Sequence, residues 1–314
     1  DFDEGQILFR VVLGEGRLSL AGNELPLGWM AECVFERGGL DVHSTDELRR
    51  VLAGRDVDFS FFVRDESFDF EGSTTPGDLE LQCAVLCAYL QHPGWREDGY
   101  AWVKRQIPLT FDRLRHDPEG PVNTAFLPAL YSGDPRFSSF TQEELEAVEL
   151  PAVRAWLGPI LADGPLEVTL VGDLEPDEAR AAVARTFGAL PERREARPYE
   201  ERRSAPAPRS GIHQVQTVDS QVPKALVMIV FPVPDGMEST LTVRFSFLTD
   251  VLNDRLRVEV RERLGAAYFP NATLDQSCLY SGVGTLTIRA ITDPGAAGTL
   301  REACLAVTDA LARD

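Results

Sequence analysis

Two spacings of apolar residues alternate along the chain. A repeat of every second position marks a half-buried strand, and one of three or four marks an amphipathic helix. Residues 6–13 (QILFRVVL) form a β-branched apolar run and predict a strand. Residues 25–35 predict a helix that Gly38-Gly39 ends. Ser44-Thr45-Asp46-Glu47 has the spacing of a capping box, with Ser44 as cap and Glu47 reaching back, and predicts a short helix to Ala53. Residues 57–63 and 68–73 predict hairpin strands around Asp65-Glu66, a connection without the glycine of the commonest tight turn. Residues 76–90 predict a long helix with Leu79, Cys83, Leu86 and Leu90 on one face. A further helix over 99–115 contains Pro108, a position for a kink. Residues 118–137 carry no clear period, and Thr141 to Glu144 form a second capping box. A helix over 151–161, a strand over 166–171 (LEVTLV) and a helix over 176–187 follow.

Residues 191–210 (PERREARPYEERRSAPAPRS) are polar, Pro-rich and aperiodic, and read as a linker forming a solvated tether. After it the order of elements begins again. Strand 225–231 leads to a helix over 240–264, broken near Asp254, then strands over 267–274 and 281–291 and a helix to Ala312. The repeat is one of pattern, since the two copies share almost no residues. The expected fold class is α+β: two homologous units, each an antiparallel-rich sheet with helices packed on one face. The expected domains are 1–190 and 211–314 around the 191–210 linker. The second copy stops where the first continues, so the second domain is expected to be truncated at its C-terminus.

Composition changes this picture little. Of the 314 residues 44% are hydrophobic and 26% charged, ordinary for a globular chain able to bury a sizeable core. The net charge of −19 argues against nucleic acid and anionic membranes as partners. No apolar run approaches the ~18 residues that suggest a transmembrane helix. Five cysteines, Cys33, Cys83, Cys87, Cys278 and Cys304, are odd in number and lack the spacing of a disulfide framework. The chain opens Asp1-Phe2-Asp3 without an initiator Met, which reads as a fragment of a longer protein.

Candidate chemistry is sparse. His43, His92, His116 and His213 form none of the HxxEH, HExxH or HxxxH pairs. His43 and Glu47 share a helical face, but the capping box claims Glu47 and no third ligand is evident, so no metal site is expected. No GxSxG elbow is present. The one juxtaposition that stands out is in RLRVEVRERLGAAYFP. Leu252, Leu256, Val260 and Leu264 define a helix that Gly265 ends, with Arg261 near the end and Tyr268 just past the turn. A guanidinium fork and a phenol O–H suit a peptide backbone. The same spacing also fits a surface arginine and a half-buried strand aromatic.

Three segments carry a resemblance. LEVTLVGDLEPDEARAAVARTFGALPER is similar to a signature segment of the pitrilysin/insulinase family of zinc peptidases. The stretch GGLDVHSTDELRRVLAGRDVDFSFFVRDESFDFEGSTTPGDLELQC and the later ALYSGDPRF resemble the third domain of the long bacterial two-half members. RERLGAAYFPNATL resembles the Arg…Tyr motif of their fourth domain. The zinc-binding HxxEH would fall on Gly28, Ala31 and Glu32, and the third ligand near Thr110, so neither histidine nor the base is retained. The resemblance implies a non-catalytic half, with no cofactor of its own and zinc in the partner half. The partners implied are that catalytic half, in the same chain or as a subunit, and a peptide substrate. Arg261 would bind substrate and Tyr268 would hydrogen-bond the oxyanion. The alternative is a structural subunit of the same fold, like respiratory-complex core proteins, in which the pair merely packs. Resemblance to exported bacterial members implies the periplasm or cell envelope.

Overall fold

The structure is a computed structural model and describes residues 4–220, 222–262 and 270–313, the side chains of Arg261 and Glu262 excepted. In chain order the strands and α-helices are β1 (Ile7–Gly14), α1 (Pro26–Phe35), α2 (Thr45–Val51), β2 (Ser60–Val63), β3 (Ser67–Thr74), α3 (Leu79–Gln91), α4 (Glu97–Arg115), α5 (Leu127–Leu130), α6 (Gln142–Ala147), α7 (Leu150–Asp163), β4 (Leu166–Gly172), α8 (Pro176–Arg185), β5 (Ala225–Pro232), α9 (Ser239–Leu256), β6 (Asn271–Gln276), β7 (Gly284–Thr292) and α10 (Ala297–Leu311). Both capping boxes form: Ser44 accepts from the Glu47 N–H and Thr141 from the Glu144 N–H, and each glutamate accepts from its cap's N–H. α4 passes through Pro108 without ending. α3 starts at Leu79 rather than near Pro76, because the Asp78 carboxylate accepts from the Arg55 side chain and the Asp56 N–H.

The chain forms two compact units. One comprises Asp1–Leu109 and Phe140–Tyr199, the other Thr110–Ser139 and Glu200–Asp314. The first division falls inside α4. Residues 110–139 therefore group with the second unit, although pattern alone divides the chain once, at 191–210.

In the first unit all strands are antiparallel, in the order β2-β3-β1-β4. Alternate residues of β1, Ile7, Phe9, Val11 and Leu13, are buried, the period-two signature of a sheet with one packed face. Helix α1 is buried on several sides and contacts β2, α6 and α7. Phe35, Phe61 and Phe70 pack within this core, with Phe35–Phe61 centroids 4.3 Å apart.

The second unit has the order β5-β7-β6, again antiparallel. Its core joins Val227, Leu286, Ile288 and Ala290 of the sheet to Leu252 and Leu256 of α9 and to Leu300, Cys304 and Val307 of α10. The aperiodic stretch before Phe137 is not formless. It holds a π turn (Val122–Phe126), α5 and a 3-10 turn (Pro135–Phe137). These depend on partners distant in sequence, which local periodicity does not register. Phe137 stacks on Tyr131 at 4.2 Å and meets Tyr280 edge-on at 5.5 Å. Arg136 holds Asp134 in a fork and donates to the carbonyls of Arg202 and Ser204, each at 2.8 Å.

Residues 191–210 contain only one short 3-10 turn, but they are docked on the protein rather than forming a free tether. Glu15, buried and held at φ 126°, receives Arg194 and, at 2.7 Å, the Tyr199 hydroxyl. Arg193 donates to the Leu161 carbonyl at 2.7 Å. The later part is held by Arg136 and by the Arg209 N–H, which donates to the Leu130 carbonyl.

Candidate functional site

The Arg…Tyr segment is positioned by α9. Leu252, Leu256 and Val260 are fully buried. The helix continues as a π turn, Arg257–Glu262, so Arg261 lies in its last residues. A π turn spaces its hydrogen bonds one residue wider than an α-helix and recurs at functional sites. The backbone of Arg261 is placed by this turn; its side chain, Leu264, Gly265 and all of Tyr268 lie outside the described residues. Beyond them β6 begins at Asn271. It is tied back to α9 by Asn253, whose amide donates to the Ala272 carbonyl at 2.9 Å and accepts the Ala272 N–H at 2.7 Å.

α1 is the counterpart of α9 in the first unit. Val34 and Phe35 face the core, and Glu32 and Glu36, one helical turn apart, face the sheet edge. Glu32 accepts the Val63 N–H at 2.8 Å and Glu36 accepts the Phe61 N–H. β2 is an edge strand, and these two amides point away from β3. Both glutamates therefore do for β2 what Asn253 does for β6: they satisfy an edge that would otherwise present free donors. Burial raises the Glu36 carboxyl above its ordinary range, and the Phe61 N–H opposes that shift. Cys33, between them, is pushed up to about 12 by burial and then by Glu32, leaving a thiol without nucleophilic character at neutral pH.

These residues do not fit a zinc ion. Gly28 and Ala31 offer no donor, and Glu32 is engaged by the strand. A Cβ on Gly28 would meet the Arg17 side chain at 3.1 Å, so the place of a ligand side chain is filled by Arg17. Among the described residues, no three His, Cys, Asp or Glu side chains group to hold a metal.

Beside α1 lies a cleft of about 640 Å3 lined by Glu32, Glu36, Arg37, Arg49, Arg96 and Trp102, among others. The Arg37 guanidinium lies 3.8 Å over the Trp102 ring, and Arg96 donates to the Leu40 carbonyl at 2.7 Å. The cleft is polar and carries charges of both signs. The role of Glu32 and Glu36 as acceptors for the β2 edge was missed by sequence reasoning, although a pair of glutamates four apart on an otherwise apolar helix is the signal that finds it.

Residues 160–314 match the sequence profile of a family described as "Peptidase M16 inactive domain". No curated protein matches the chain. Among solved structures, the periplasmic protease PqqL from Escherichia coli is 15% identical, with a TM-score of 0.74 over 98% of this chain and 34% of its own. The peptidase M16 inactive domain from Pseudomonas fluorescens is 16% identical, with a TM-score of 0.75 over 100% of this chain and 76% of its own. Pitrilysin is 15% identical, with a TM-score of 0.65 over 99% of this chain and 34% of its own. The chain thus spans about a third of the length of the two proteases. By sequence, residues 160–314 match the M16 peptidase inactive domain, and the chain as a whole shares the fold of these M16 peptidase structures.

Proposed function

We propose that this chain is the non-catalytic half of a zinc endopeptidase, walling a substrate chamber and contacting the peptide at the zinc site of a partner half. The observation that carries the reading is at α1. The resemblance lays the zinc-binding motif on Gly28, Ala31 and Glu32, and Glu32 accepts the Val63 N–H. On this reading the half holds no zinc of its own. Its contribution is then to bind and orient substrate rather than to activate water.

Arg261 and Tyr268 are the residues assigned to that contact. The guanidinium presents a planar fork of donors to a substrate backbone carbonyl, in the ground state and the transition state alike. The Tyr268 hydroxyl donates to the oxyanion, which exists only as the scissile carbonyl becomes tetrahedral. The two substitutions therefore differ in kinetics. In the complete two-half enzyme, Tyr268→Phe lowers kcat about a hundredfold, on the order of 3 kcal/mol, with KM little changed. Arg261→Ala raises KM together with any fall in kcat. Steady-state cleavage of a fluorogenic peptide reads both. An unchanged kcat in Tyr268→Phe, with the fold intact, removes the assignment and favours a purely structural subunit.

A further inference from the structure

Four arginines and four carboxylates line the cleft beside α1, and the two sets are not in the same condition. The carboxylates are engaged. Glu32 and Glu36 accept the Val63 and Phe61 N–H groups of β2, and Asp98 accepts the Gly99 N–H at 2.9 Å. Asp46 lies 3.5 Å from Arg49. The other three arginines form no ion pair among the described residues. Arg37 rests on the Trp102 ring, and Arg96 donates to the carbonyls of Leu40 and Asp41 at 2.7 and 3.2 Å. The Arg96 Nε is buried without an acceptor. Arg105 is exposed and has neither a hydrogen bond nor an ion pair among the described residues. Shortage of acid is not the reason, since the chain carries 50 acidic residues against 31 basic ones.

The donors are also set in place beforehand. Gly99 lets α4 come close to the end of α1, because a Cβ there would lie 2.9 Å from the Arg37 carbonyl oxygen. That approach brings Trp102 under Arg37. A ring contacts the face of a guanidinium and leaves its in-plane N–H donors available. A guanidinium fixed in this way loses less side-chain entropy when it binds. Trp102 is 41% exposed and offers an apolar contact beside the arginines. The volume, about 640 Å3, falls within the ~300–1,000 Å3 of ligand sites.

We infer that this cleft is a binding site for a carboxylate borne by a peptide, with Arg37, Arg96 and Arg105 as its donors. A carboxylate is planar and singly charged, and it matches the fork of a guanidinium. A phosphate dianion carries more charge toward Glu32, Asp46 and Asp98 on the same walls and is repelled more strongly. That a peptide bears the group rests on the proposed function; that a carboxylate is bound does not.

The test is calorimetric titration of the intact protein, with phenanthroline present so that no zinc in a partner half takes up the carboxylate. The probes are N-acetyl-Gly-Glu-Gly amide, N-acetyl-triglycine with a free C-terminus and, as neutral control, N-acetyl-Gly-Gln-Gly amide. At least one carboxylate peptide is expected to bind about tenfold or more tightly than the control, and the tighter one identifies side chain or C-terminus as the source. Arg37→Gln and Arg105→Gln are each expected to weaken that binding about tenfold. Arg105 is exposed, so its substitution leaves the fold intact. Equal binding of the carboxylate peptides and the control overturns the inference. Undiminished binding by both variants overturns the location. Inorganic phosphate binding more tightly than either peptide overturns the choice of carboxylate. No turnover is read, so any of these failures leaves the proposed function standing, and an unchanged kcat in Tyr268→Phe leaves the carboxylate site standing.

Discussion

Asp134 and Arg136 show how one side-chain pair organises a stretch without regular structure. The Arg136 guanidinium uses one edge for Asp134 and its remaining donors for the carbonyls of Arg202 and Ser204. The hydrogen bonds from Arg136 hold the Asp134 carboxyl below its ordinary range. A depressed carboxyl favours the folded state above the unfolded value, here 3.8, and loses that contribution as pH falls through the folded value. The stability difference between the natural protein and Asp134→Asn is therefore expected to be constant from neutrality to about pH 5 and to shrink below about pH 4. Urea unfolding across that range measures it, and a difference that grows on acidification contradicts the assignment. Little of this was legible beforehand. SGDPRF reads locally as a turn, but the carbonyls that Arg136 reaches lie more than sixty residues away. Arg261 and Tyr268, by contrast, were read from spacing and from the resemblance, and the Arg261 side chain and all of Tyr268 lie outside the described residues.

Strands and helices were mostly legible, because apolar period and cap chemistry are local. β1, β4 and both capping boxes lie where the pattern put them. What the pattern did not contain is how sheet edges are closed. Glu32 and Glu36 close β2, and Asn253 closes β6, each from the helix beside the strand. Glu32→Ala leaves the Val63 N–H, on a buried residue, without its acceptor, and a loss of about 1–3 kcal/mol is expected. Glu32→Gln keeps an acceptor oxygen and is expected to lose less than half as much. Chemical denaturation ranks the two. Equal losses would mean that the carboxylate's packing, not its acceptor, matters. The alanine variant also reopens an edge, so sedimentation is expected to show self-association that the glutamine variant lacks.

For the molecule as a whole, the α+β class and the repeated order of elements were legible, while the assignment of segments to units was not. Membership of 110–139 in the second unit rests on long-range partners such as Tyr280 for Phe137. The docking of 191–210 likewise rests on Glu15 and Arg136. Cleavage susceptibility follows backbone that is exposed and unpaired. Residues 211–220 have no regular structure and are mostly exposed, whereas residues 193–199 and 202–204 are bonded at several points. Brief digestion with a non-specific protease is therefore expected to cut first within 211–220, as read by fragment masses. First cuts within 193–204 would show that the hydrogen bonds to Glu15 and Arg136 do not hold that segment in solution.

The assignment of residues 110–139 also bears on how a gene of this kind can be divided. A break in the coding sequence between codons 191 and 210 would put Arg136 and Phe137 on one polypeptide and their partner Tyr280 on the other. Neither product would inherit a self-sufficient second unit. Recombination that shuffles such halves is therefore expected to move residues 110–314 as one heritable block, with its upstream junction inside a helix rather than at the Pro-rich stretch that looks like the natural seam.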